Sequence, residues 1–374
     1  MRINWPNMKL LNYLLLILFI ASIVSCNGNG SDSSIIISGY DDYLDGSPDV
    51  VNRVSLIPLE ETEESLLSGP ISKIVELDST FIVQDFNRGL YRFSRSGKFM
   101  NKISNKGRSA SEYVTLSTFC VDSDGQVLIF DSFANKIIRF TQDGNYVDVI
   151  RVPDQLLTNT QDCVMLEDGK IFQTCYLMGD FNKVYSVIDM GTWKRSILYE
   201  SSMKTDSVME MLGRHVVTTS GGVVRYIKPF DNNLYILNGE TNKDRCFLIG
   251  TESQIPGNKL LASEYFSIMT SVELSNKGFF QGFTSCYETD QHILLTYYNA
   301  DAFLFSKSDD HGIRFDLVNV DDDIVPLLGL VADSRSYLIG VADGSKLSEY
   351  PAFNAYLKDT SEFKNPYVIL YYLR

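Results

Sequence analysis

The chain writes one sentence twice. "QDFNRGLYRFSRSGKFMNKI" (Gln84–Ile103) returns about 46 residues later within "FDSFANKIIRFTQDGNYVDVI" (Phe130–Ile150). Asp85 matches Asp131, Arg92-Phe93 matches Arg139-Phe140, and Gly97 matches Gly144. Self-similarity at a period of 40–50 residues marks propeller blades, because one blade of four short strands uses about that much chain. A single blade cannot bury both of its faces, so the unit must recur until a ring closes.

Six such units can be read. Their first strands are expected to begin near residues 71, 116, 160, 214, 281 and 326, at steps of 45, 44, 54, 67 and 45. Short runs rich in β-branched and aromatic residues, with turn signals every 8–12 residues, give an all-β texture throughout. The sixth unit supplies only three strands, "PLLGLVAD", "SYLIGVAD" and "NPYVILYYLR". "VVNRVSLIPL" (Val50–Leu59) stands before the first unit as an unassigned strand. If it joined the last blade, no unpaired strand edge would be left at the seam. The expected fold is therefore an all-β, six-bladed propeller over residues 50–374, closed by an N-terminal strand that completes the last blade. Insertions at about 255–278 and 344–364 break the period and carry apolar residues at helical spacing, so each should form short helices packed on the body.

The Asp–basic–Arg-Phe pattern resembles the NHL type of propeller repeat, carried here by Asp85 with Arg88 and by Asp131 with Lys136. An acid at that point can accept hydrogen bonds from a tight connecting loop, and the base that follows can neutralise it. A device written twice in symmetric places reads as structural. "SLIPLEETEESLLSGPISKIVELDSTFIVQD", "NKGRSASEYVTLSTFCVDSDGQVLIFDS", "PFDNNLYILN" and "NPYVILYYL" together resemble the six-bladed β-propeller lipoproteins of Gram-negative gut anaerobes, a family largely of uncharacterised function. That family usually writes Gly-x-Gly-Pro-Gly-Glu-Tyr at the first blade junction. Here the junction reads "GRSASEY", keeping Glu112 and Tyr113 without the inner glycines and proline.

The N-terminus indicates an address. Arg2 and Lys9 precede the apolar run Leu10–Val24, and "SIVSC" places Cys26 where a bacterial lipobox places its lipid-bearing cysteine. Residues 1–26 are thus expected to be a lipoprotein signal peptide, and the polar stretch 27–49 a flexible tether. Membrane contact would come through lipid on Cys26. Asn27 is not the aspartate that retains many lipoproteins at the inner membrane, so an outer-membrane location, periplasmic or surface-facing, is expected.

The chain has 33 basic and 47 acidic residues, and loss of the leader with Arg2 and Lys9 leaves a net charge of −16. A field of that sign repels phosphate backbones and disfavours nucleic acid as a partner. Five cysteines remain after Cys26, none in a Cys-x-x-Cys spacing. They read as core residues, with Cys163 and Cys175 the pair to examine for a bridge.

No metal or cofactor is expected. His215, His292 and His311 lie in different units without metal-ligand spacing, the first two opening strands and the third in the turn "SDDHG". "DSDG" (Asp122–Gly125) reads as a hairpin turn, and "VDDDI" as a turn between blades. The enzyme alternative is a calcium-dependent hydrolase of the six-bladed lactonase type, which would need several oxygen donors in the channel. The starts of the six inner strands offer one acid, Asp162. The expected function is therefore binding or scaffolding of a protein or glycan, without catalysis. Arg108, Glu112 and Tyr113 are candidate contacts on the loop between blades one and two.

Overall fold

The computed structural model describes residues 48–374 except 87–88, 154, 180–182, 202–204, 210–214, 221–222, 229–232, 238–244, 249–281, 298–301, 309–310, 321–322, 355 and 358–364. The leader, residues 27–47 of the tether, Cys26, Arg88 and the insertion at 255–278 lie outside the described residues.

The chain forms a six-bladed β-propeller. It enters through β1 (Val51–Pro58) and then builds blade one from β2 (Ile71–Leu77), β3 (Thr80–Asp85), β4 (Gly89–Ser94) and β5 (Phe99–Ile103). Blade two is β6 (Thr118–Val121), β7 (Val127–Asp131), β8 (Lys136–Phe140) and β9 (Tyr146–Arg151). Blade three uses β10 (Thr160–Met165), β11 (Lys170–Cys175), β13 (Lys183–Asp189) and β14 (Arg195–Glu200). A small side sheet pairs β12 (Leu177–Gly179) with β15 (Thr205–Met209). Blade four is β16 (Val217–Ser220), β17 (Val223–Ile227), β18 (Asn233–Ile236) and β19 (Arg245–Leu248). Blade five is β20 (Phe283–Glu288), β21 (His292–Tyr297), β22 (Ala302–Ser306) and β23 (His311–Phe315). A hairpin of β24 (Val318–Val320) and β25 (Asp323–Val325) leads to blade six, β26 (Leu330–Asp333), β27 (Leu338–Ala342) and β28 (Tyr367–Leu373).

Burial follows the radial order. The second strands β3 and β7 are buried at every position, because each lies between two neighbouring blades and has no solvent face. The outermost β9 reads exposed or half-buried throughout. The core is divided among the seams between blades: Phe119, Ile129 and Ile82 join blades one and two, while Phe172, Tyr226 and Phe303 run through blades three, four and five.

The ring closes where the chain ends meet. β1 pairs antiparallel with β28, from Val51 opposite Leu373 to Pro58 opposite Tyr367, and is the outer strand of blade six. Asn365, buried at 2% exposure, accepts the Leu67 N–H at 2.8 Å and donates to the carbonyls of Ser65 at 2.9 Å and Glu60 at 3.0 Å. Gly97, at φ +83°, lets its turn sit against β1; a Cβ there would lie 2.0 Å from the Pro58 carbonyl oxygen.

Two expectations need correction. The inner strand of blade six begins at Leu330, not near 326, because Gly329 turns in the left-handed region at φ +53° immediately before it. His311 opens β23 and is paired with Ser306, so it belongs to a strand and not to the preceding turn. Cys163 and Cys175, the pair to examine for a bridge, are free and buried as core residues; across β10 and β11 they face Gln173 and Thr160 instead of one another. The described part of the 344–364 insertion forms α1 (Gly344–Leu347) and α2 (Pro351–Asn354), which bury Leu347 and Phe353 against blades five and six.

Candidate functional site

The repeated aspartates occupy equivalent places at the ends of β3 and β7 and are fully buried. Asp85 Oδ2 accepts the N–H groups of Ser68 at 2.7 Å and Gly69 at 3.3 Å. Asp131 accepts from Val114 at 2.7 Å and Thr115 at 3.3 Å, the same 17 and 16 residues back, and from Ala134 at 3.0 Å. Each carboxylate thus holds the loop that delivers the chain into its own blade. Lys136 directs its ammonium to the carbonyls of Glu112 at 2.6 Å and Ser109 at 3.1 Å.

That places the blade-one/two loop. Glu112 Oε2 accepts the Ser109 N–H at 2.9 Å, and this bond within the loop draws its carboxyl below the ordinary value. Tyr113 is buried beneath the loop at 4% exposure, and burial pushes its phenol up to about 12. Arg108 is exposed. Of these three candidates, Arg108 faces solvent, Glu112 is engaged by its own loop and Tyr113 faces the core.

The larger concave feature is the central channel, lined by the first strand of each blade. Sequence reading inspected the starts of those strands, whereas the charged groups stand mostly along and at the ends of them. On the side of blades one to three, Lys73 of β2 reaches past blade two to Asp162 of β10. Its Nζ lies 2.7 Å from Asp162 Oδ1 and 2.6 Å from the Cys163 carbonyl oxygen. The same Oδ1 accepts from the Thr118 hydroxyl and the Cys163 N–H, each at 2.8 Å. Burial works against the Lys73 charge, but Asp162 outweighs it and holds the ammonium above its ordinary value.

A second network joins blades four to six. Glu288, at the end of β20, has a fully buried side chain and binds Lys307 at 2.5 Å and Arg225 at 2.6 Å, both through Oε1. Its own N–H donates to Asp333 Oδ2 at 2.5 Å. His215 stacks on Tyr287, with ring centroids 4.6 Å apart and planes 14° apart, and its Nε2 lies 3.3 Å from the same Asp333 oxygen. Burial raises the Tyr287 phenol well above its ordinary value. Near the wider mouth, Glu76 is bound by Arg95 and by the Tyr337 hydroxyl across the seam of blades one and six.

Between the two networks lies a cavity of about 230 Å³, lined among others by Lys73, Asp162, His215, Thr218 and Asp333. It shares Ser72, His215 and Val331 with a mouth cavity of about 240 Å³ beside Phe86. It shares Glu76, Thr219 and Asp333 with an open vestibule of about 1060 Å³ at the other end. Phe86 is 57% exposed, and Phe133, in the corresponding loop of blade two, is 76% exposed. Among the described residues, no three His, Cys, Asp or Glu side chains converge as metal ligands, and no helix is long and apolar enough to cross a membrane. What the arrangement offers chemically is paired charge and unpaired hydrogen-bonding capacity facing a narrow cavity of mixed polar and apolar lining.

These channel groups escaped the sequence reading apart from Asp162 and His215. The only signal was an acid or base at the end of an otherwise apolar strand, as in "SKIVEL", "TSCYE" and "LVAD".

The sequence matches a family model described as a domain of unknown function, DUF4934, over residues 46–372. No curated protein matches the chain. Among solved structures, a protein of Bacteroides fragilis NCTC 9343 named as exported is similar at TM-score 0.69 and 19% identity, over 91% of this chain and 99% of that one. A DUF4221-family protein of Bacteroides vulgatus ATCC 8482 is similar at TM-score 0.53 and 10% identity, over 87% of this chain and 97% of that one. At these identities the likeness concerns the fold.

Proposed function

We propose that this chain, which belongs to the DUF4934 family, is an exported propeller, anchored by lipid on Cys26 at the outer membrane, that binds a protein or glycan without turning it over. The observation that carries the binding reading is the channel: a concave cavity of mixed polar and apolar lining, in which Lys73 and Asp162 are paired across blades. Propeller mouths gather loops from every blade, and clefts with a few convergent polar groups are where ligands settle. The name of the Bacteroides fragilis protein, which calls it exported, supports an extracytoplasmic address, as do Arg2 and Lys9, the apolar run and Ser25 before Cys26.

The test is an array of glycans, peptidoglycan fragments and peptides probed with the full-length protein in detergent micelles, followed by mass analysis of the bound material. Retention of an intact ligand is expected. Recovery of cleaved or otherwise altered material, or no retention at all, would refute the reading.

A further inference from the structure

We infer that the waist of the channel binds a neutral, hydroxyl-rich ligand the size of one sugar ring, entering past Phe86; this rests on the binding role proposed above. Size is the first argument. A cavity of roughly 150 Å³ already admits a six-carbon ring. The 230 Å³ at the waist leaves room for hydroxyl substituents on one such ring.

Charge is the second. Of the charged groups that line the waist, Lys73 is paired with Asp162, Glu76 is bound by Arg95, and Asp333 accepts the Glu288 N–H beside His215. Each of these groups is already engaged, so an ionic ligand would be desolvated opposite groups that have partners. A neutral ligand avoids that cost.

Hydrogen-bonding capacity is the third. Thr218 is 2% exposed and lines the cavity, and its Oγ1 has no partner. His215 Nε2 lacks a hydrogen bond of proper geometry, although Asp333 Oδ2 is 3.3 Å away. A buried polar atom of this kind calls for a partner. A threonine hydroxyl can donate and accept, and a neutral imidazole nitrogen does one or the other according to tautomer. A sugar hydroxyl satisfies either choice. Val164 and Val331 supply apolar wall for the C–H face of a ring, and Phe86 offers an exposed aromatic face at the entrance.

The experiment is calorimetric titration of the full-length protein in micelles with glucose, galactose and N-acetylglucosamine. Glucosamine and glucuronate serve as charged controls of similar size. At least one neutral sugar should bind, with the charged analogues tenfold weaker or more. Thr218→Val keeps the volume and removes the hydroxyl, so it should weaken the neutral sugar about tenfold, the worth of one buried hydrogen bond. Val331→Phe fills the passage between mouth and waist and should abolish binding; if it does not fold, Thr218→Val carries the test alone. The inference is overturned if no neutral sugar binds, if a charged analogue binds as well or better, or if Thr218→Val binds like the parent. A glycan that binds the parent and ignores both variants removes the waist site while leaving the binding propeller intact. Chemical alteration of the sugar removes the binding reading itself.

Discussion

Replacing Asn365 by alanine should loosen the closure of the ring without touching its apolar seams. The side chain is buried and makes three hydrogen bonds, to the Leu67 N–H and to the Ser65 and Glu60 carbonyls, about 300 residues away in sequence. Alanine removes all three and leaves the Leu67 donor among buried neighbours. At roughly 1 kcal/mol for each lost bond, the expected loss is about 3 kcal/mol. A propeller of this length should have an unfolding entropy of about 0.7 kcal/mol/K near its midpoint, so the Tm should fall by about 4 °C. Thermal unfolding followed by circular dichroism reads the shift. Urea titration should show a lower midpoint at unchanged slope, because the surface exposed on unfolding is the same. A Tm shift below about 1 °C would show that the termini are held by β1 pairing alone and that Asn365 does not clasp them.

Two further outcomes follow from the charged groups. Lys73→Met leaves Asp162 buried without its cation and should cost about 3–5 kcal/mol in urea unfolding, while the double variant Lys73→Met/Asp162→Asn recovers most of it. Failure of the double variant to recover would assign the loss to packing. Glu112 has its folded-state pKa drawn below the ordinary 4.5, so its contribution is present above that value and disappears as pH falls through the folded-state value. Glu112→Gln should therefore melt below the parent at neutral pH and together with it in acid; a gap that persists in acid would contradict the Ser109 cap.

The blade boundaries were legible because their causes are local. An alternating or continuous apolar run fixes a strand, and polar turns with glycine fix where it ends. Gly97 and Gly144 mark equivalent turns at φ +83° and +81°. The missing strand of blade six could be inferred by counting, since a blade short of one strand and a strand short of a blade stood at opposite chain ends. The side sheet of β12 and β15 could not be counted, because three residues pair with five across most of a blade and neither run has a period of its own. The start of blade six is shifted for a related reason: "PLLGLVAD" carries no polar residue before Asp333, and only the approach of Gly329 to the Val341 carbonyl shows where the strand begins.

Sequence alone determined the ring, its six units and the clasp of its ends, because each depends on short-range patterning repeated until the edges are used up. Tertiary structure alone decided what faces the channel. Lys73 and Asp162 are 89 residues apart, and Arg225 and Glu288 are 63 apart, so no local pattern relates them. Lys73 and Asp162 meet because the first strands of their blades turn toward one axis, and Arg225 of β17 meets Glu288 of β20 between blades four and five; both bring charges from separate blades into places where water is scarce and partners must be found among themselves. The same geometry leaves Thr218 facing the channel without a partner.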